Sequence, residues 1–86
     1  MKGKKTMKRV DLKKILRMDF MIQHRCTGNA SEFARKMELS RSTLFTYLDY
    51  MRNDLGVVIL YDKYRQTYHY DGPGLLTAMG LITVYA

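Results

Sequence analysis

The side chains best suited to chemistry sit in one short run. Ser40-Arg41-Ser42-Thr43-Leu44-Phe45-Thr46 strings one arginine among four hydroxyl groups. On a helix, such an arginine can make a bidentate pair with guanine. Ser and Thr can meet a base edge or a phosphate, and the Thr methyl can touch a thymine methyl. Other chemistries find less support. His24, His69 and Cys26 lack metal-site spacing, with no HxxxH or CxxC, so no metal is expected. No glycine-rich phosphate loop follows a strand pattern, and two histidines with one cysteine do not assemble a nucleophile and its orienting base. The expectation is a binding protein with no cofactor and no catalytic residue, not an enzyme. The seven methionines read as core filler.

These residues need a framework. Asn29 reads as an N-cap with Glu32 three residues on, the spacing of a capping box. A helix then runs to about Met37, with Phe33, Ala34 and Met37 facing inward. Glu38 and Leu39 make a turn, and Ser40 caps the next helix, which spans about 40–55. Leu44, Tyr47, Leu48 and Met51 recur at the spacing of a buried stripe. Ala34 lets the two helices approach and Leu39 plugs the angle between them. Ser40, Arg41, Ser42, Thr43, Thr46 and Tyr50 are left to face outward at or near an N-terminus whose partial positive charge favours phosphate. Tyr47 is read as core.

A helix is also predicted from about Val10 or Asp11, ending near Gly28. Leu12, Ile15, Leu16, Phe20 and Ile22 share one broad apolar side, with Met18 at its edge and Lys13, Lys14 and Arg17 turned away. Met21 falls off that side. Val57–Tyr61 and Thr67–Tyr70 are β-prone runs around a polar turn, a hairpin over 57–70 in which Tyr61, Tyr68 and Tyr70 pack. Its tip offers Lys63, Tyr64 and Arg65 to a neighbouring backbone or minor groove. Asp71-Gly72-Pro73-Gly74 is a break. The apolar segment that follows reads as a last strand or a dimer interface.

Charge divides the chain unevenly. The net +7 lies entirely within residues 1–25, where nine basic side chains face only Asp11 and Asp19. The remaining six basic and six acidic groups cancel. Lys4, Lys5, Lys8 and Arg9 on a flexible arm over 1–9, with Lys13 on the first helix, suit a phosphate backbone. At 86 residues the chain is one domain, parsed as arm 1–9, body 10–71 and apolar segment 72–86. The lone cysteine fits a reducing cytoplasm, where a DNA-bound protein would sit on the nucleoid. No apolar run follows the basic start, so neither a signal peptide nor a membrane partner is expected.

Over residues 12–70 the chain resembles the winged helix-turn-helix of DeoR-type repressors and of the N-terminal domain of the biotin-operon repressor. The matching pieces are NASEFARKMELS for the second helix and turn, SRSTLFTYLDYM for the recognition helix, and LGVVILYDKYRQTYHY for the wing. The resemblance implies a mainly helical α+β fold of three helices and a β-hairpin wing. It implies a transcriptional regulator of double-stranded DNA, with helix 40–55 in the major groove and the wing on flanking backbone. Arg41, Ser42, Thr43 and Thr46 would face DNA. The chain departs from that pattern in the turn, where Glu38 replaces the usual glycine. It has Thr46 where the family often has a basic residue, and Tyr47 where it has an aspartate. No small-molecule effector domain is expected beside the helices. A homodimer on repeated half-sites is expected, because one helix in one groove reads a short site.

Two rival readings start from the same residues. A winged helix can dock a protein partner instead of reading a sequence, and the sparsely basic recognition helix suits that use. A basic arm can also serve a membrane surface or RNA.

Overall fold

Asp11 starts the first helix. Its carboxylate accepts the backbone N–H of Lys13 at 2.9 Å, satisfying one of the donors that a helix leaves open. The computed structural model describes residues 10–80 and has the order α1 (Leu12–Gln23), α2 (Ala30–Met37), α3 (Arg41–Asn53), β1 (Ile59–Asp62), β2 (Thr67–Tyr70) and α4 (Leu75–Ala78). It is a mixed α+β domain. The two strands pair antiparallel, with Ile59 opposite Tyr70 and Asp62 opposite Thr67. The arm residues Lys4, Lys5, Lys8 and Arg9, and the segment 81–86, lie outside the described residues.

The core collects one stripe from each element. Phe33, Ala34 and Met37 come from α2, and Leu44, Tyr47, Leu48 and Met51 from α3, as their spacing predicts. Val57, Ile59 and Tyr68 close it from the hairpin, and Leu75 from α4. The capping box forms in both directions, Asn29 and Glu32 each accepting the other's backbone N–H at 2.9 Å. Gly28 serves this box rather than ending α1. A Cβ there would collide with the Glu32 side chain, and its φ of +75° suits glycine.

Helix α1 corrects the expectation. It buries Ile15, Met18, Asp19 and Ile22, whereas Leu12, Leu16 and Phe20 are 67%, 46% and 59% exposed. Met18 is fully in the core rather than at an edge. Met21, half-buried, packs against the core from the other edge of the buried arc. The reason is polar. Asp19 lies inside because its carboxylate accepts the Tyr70 hydroxyl at 2.6 Å and the Gln23 amide at 2.9 Å. The Tyr70 bond, reaching in from β2, pins the helix rotation, and apolar residues cover so much of the helix that one flank must remain outside.

The connector before α2 is stapled to the hairpin. The Tyr68 N–H donates to the Thr27 hydroxyl at 2.9 Å, and the Thr27 N–H to the Thr67 hydroxyl at 3.3 Å. Of the C-terminal segment expected as a last strand or a dimer interface, the described part forms no strand but the helical turn α4, which follows Gly74. Among the described residues no helix is long and apolar enough to cross a membrane.

Candidate nucleic-acid interface

The exposed side of α3 is built by what its other side buries. Leu44, Tyr47, Leu48 and Met51 turn inward, so Arg41, Ser42, Phe45, Thr46 and Asp49 must turn outward. The turn that aims α3 is tight. The Leu39 N–H reaches the Ala34 carbonyl at 2.9 Å and the Glu38 N–H the Arg35 carbonyl at 3.0 Å, closing a Schellman motif. Glu38 therefore takes the left-handed conformation, φ 60° and ψ 41°, which glycine adopts without strain.

The predicted hydroxyls divide into committed and available groups. Ser40 is the N-cap; its hydroxyl accepts the Thr43 N–H at 3.1 Å and donates to the Thr43 hydroxyl at 2.9 Å. Thr46 donates back to the Ser42 carbonyl at 3.1 Å, leaving its methyl and lone pairs outward. Ser42 is exposed with only a long 3.4 Å approach to Ser40. Arg41 is exposed, and its guanidinium lies 5.8 Å from the centre of the Phe45 ring. Tyr50 departs from expectation: it is half-buried and packs against the core.

One feature escaped the sequence reading. Phe45 is 39% exposed beside Arg41. Its signal is that it is a large apolar residue off the 44–47–48–51 stripe. Asp49 is exposed on the outward side, one turn beyond Thr46, with Asn53 and Asp54 after it. The outward face is thus cationic and hydroxylic over its first half and acidic over its second. Arg52 does not join it. Its guanidinium donates twice to the Ile59 carbonyl, at 3.2 and 3.0 Å, and lies 3.7 Å from Asp49. That contact fastens the end of α3 to the start of β1.

Tyr47 has a structural duty. Its hydroxyl accepts the Asp11 backbone N–H at 3.0 Å. The point where the basic N-terminal segment enters the fold is therefore fixed to the flank of α3. Lys13 is exposed two residues further on.

The hairpin tip presents Lys63, Tyr64 and Arg65, all exposed, with Tyr64 fully so. The Asp62 carboxylate shapes the tip by accepting the N–H groups of Tyr64 and Arg65 at 2.9 and 3.2 Å. It also stands 4.0 Å from the Arg65 guanidinium. Behind the tip, Tyr61 packs tilted against Tyr68 at 4.9 Å and Tyr68 against Phe33 at 5.7 Å, so the expected tyrosine packing is present. Burial raises the Tyr68 phenol above its ordinary value, partly offset by Arg52.

Compared with protein-family models, curated proteins and solved structures, the chain finds no match in any of the three.

Proposed function

We propose that this chain is a small sequence-specific DNA-binding protein, a transcriptional regulator built as a winged helix. In this reading α2 and α3 form the helix-turn-helix, the first half of α3 enters the major groove, and the β1–β2 hairpin is the wing. One observation carries it. The outward first half of α3 holds Arg41, Ser42 and Thr46 without any core duty, and Asp11, at the start of α1, is bonded to the same helix through Tyr47. Arg41 and Phe45 then read base edges, Ser42 and Thr46 meet a base or a phosphate, and the arm supplies most of the electrostatic affinity. The acidic second half of α3 keeps that end away from phosphate, which tilts the helix N-terminus first. Two copies bind repeated half-sites.

Selection from a random duplex pool with the full chain tests this. One short site should be enriched. Five basic side chains in residues 1–9 acting as phosphate contacts give a log–log salt slope of about −4.5. Deleting residues 1–8 should weaken all sequences alike. Arg41→Ala should flatten preference at one base pair at a cost of about 1–3 kcal/mol. If no site is enriched, the reading fails. The second reading, a protein-interaction module using α3, is favoured by Asp49 and Asp54 and would then replace it.

A further inference from the structure

The largest unexplained feature is the outward face of α1. Leu12, Leu16 and Phe20 stand four residues apart on one stripe, each at least 46% exposed. Scattered exposed leucines are ordinary, but three large side chains aligned on one helix face form a patch that marks contact with a partner. The two flanks of the stripe differ. On one flank lie Lys13 and Arg17, both exposed, and among the described residues neither is in a salt bridge. Arg17 donates to the Lys36 carbonyl at 3.3 Å, so this ridge runs along the junction of α1 with the end of α2. The other flank faces the hairpin, whose Tyr70 bonds Asp19, with Gln23 of α1 beside it on the same carboxylate.

We propose that this stripe docks an amphipathic helix of a partner protein, apolar where it meets Leu12, Leu16 and Phe20 and acidic along the flank facing Lys13 and Arg17. Helices dock on such stripes through anchors spaced three and four residues apart. The charge arrangement selects this occupant. A second copy of the chain fits poorly. Antiparallel pairing about Leu16 sets Lys13 and Arg17 against their own counterparts, and parallel pairing sets them against a flank already filled by the hairpin. An anionic membrane surface would favour cations along both sides of the stripe; beside Leu12 and Leu16 only one side carries them, Arg25 lying past Gln23 beyond the helix end. A helix with a single acidic flank satisfies the unpaired ridge and covers the apolar residues together. This surface is separate from α3; it shares Lys13 with the proposed phosphate contacts, so its test reads peptide binding alone.

The test is a displayed library of short helical peptides with leucines at i, i+4 and i+7 and the other positions randomised, selected on the full 86-residue chain. Enriched peptides should carry Asp or Glu along one flank. The variant Leu16→Glu/Phe20→Glu should enrich none, and Lys13→Glu/Arg17→Glu should enrich Lys or Arg on that flank instead. Affinity for a selected acidic peptide should drop about tenfold or more in the charge-reversed chain. All four positions are exposed, so the variants should keep the parent melting curve; Leu16→Ser is the gentler substitute where one does not. Enrichment without charge bias, equal enrichment on the Leu16→Glu/Phe20→Glu chain, or no enrichment overturns the proposal. So does stripe-dependent dimerisation in sedimentation, or stripe-dependent binding to phosphatidylserine vesicles with no peptide binding.

Discussion

Helices α1 and α3 are similar in length and amphipathic, yet they present opposite chemistry. The outward face of α3 carries Arg41, Ser42 and Thr46, while that of α1 carries Leu12, Leu16 and Phe20. In α3 the apolar residues are few enough to define a single stripe, so spacing alone identifies the buried side. In α1 they cover more than one side, and a buried carboxylate decides between them. Apolar periodicity is thus a reliable guide only when the apolar arc is no wider than the core can cover.

The largest expected effect follows from that rotation of α1. Met18→Ala removes a fully buried side chain and should cost about 2–5 kcal/mol through lost burial and the cavity left behind. Leu16→Ala trims a largely exposed one and should stay within about 0.5 kcal/mol. Chemical denaturation of the two variants measures both. Equal costs, or the reverse order, would mean that α1 is rotated toward the arrangement its sequence suggests.

What was legible in the chain follows the same physics. The Asn29–Glu32 box, the Ser40 cap, the α3 stripe and the tyrosine hairpin rest on local spacing, and all formed. The pieces that were not legible depend on distant partners. Asp19 became a core residue only because Tyr70 folds back onto it from 51 positions away. Tyr50 turned inward because the core reaches its flank. In the candidate site, Arg41, Ser42, Thr43 and Thr46 are exposed as expected. The commitment of Ser40 and Thr43 to each other was foreshadowed by the cap, but the ring of Phe45 under Arg41 was not. A pattern shows which residues share a side; it does not show which side chain comes to rest on another.

Tyr70 offers a second test, because it holds α1 in rotation as Tyr47 holds the approach to α3. Burial, and then the hydrogen bond to Asp19, raise the Tyr70 phenol well above its ordinary value of 10.0. The unfolded chain loses that proton near pH 10 while the folded chain keeps it. The contribution of Tyr70 is therefore full below about pH 10 and is lost as pH rises above it. Tyr70→Phe should lower stability at neutral pH by about 1–3 kcal/mol, since the buried Asp19 carboxylate loses a donor. It should also flatten the alkaline decline, leaving the smaller share from Tyr68. Absorbance of ionised tyrosine followed alongside unfolding gives both readings. Unfolding curves that fall equally with pH in the two proteins would show that Tyr70 does not govern the alkaline limit.

The smallest effect concerns how the chain leaves α1 and enters α3. Both points pass through a left-handed residue that is not glycine, Arg25 at φ 56° and Glu38 at φ 60°. Each such residue costs roughly 1–2 kcal/mol in backbone strain, and glycine would remove it at an unfolded-chain entropy cost of about 0.5–1 kcal/mol. Arg25→Gly and Glu38→Gly should each therefore raise stability by up to about 1 kcal/mol, read as a higher midpoint in denaturant. Under the proposed DNA-binding function, their consequences for DNA should then separate. Glu38→Gly removes a carboxylate two residues before the Ser40 cap, so DNA affinity should rise slightly, more at low salt, with sequence preference unchanged. Arg25→Gly removes a cation at the far end of α1 and should leave affinity nearly as it was. If both variants shift DNA affinity alike, charge at the entry to α3 is not what the DNA senses, and the first half of that helix is not the reading head.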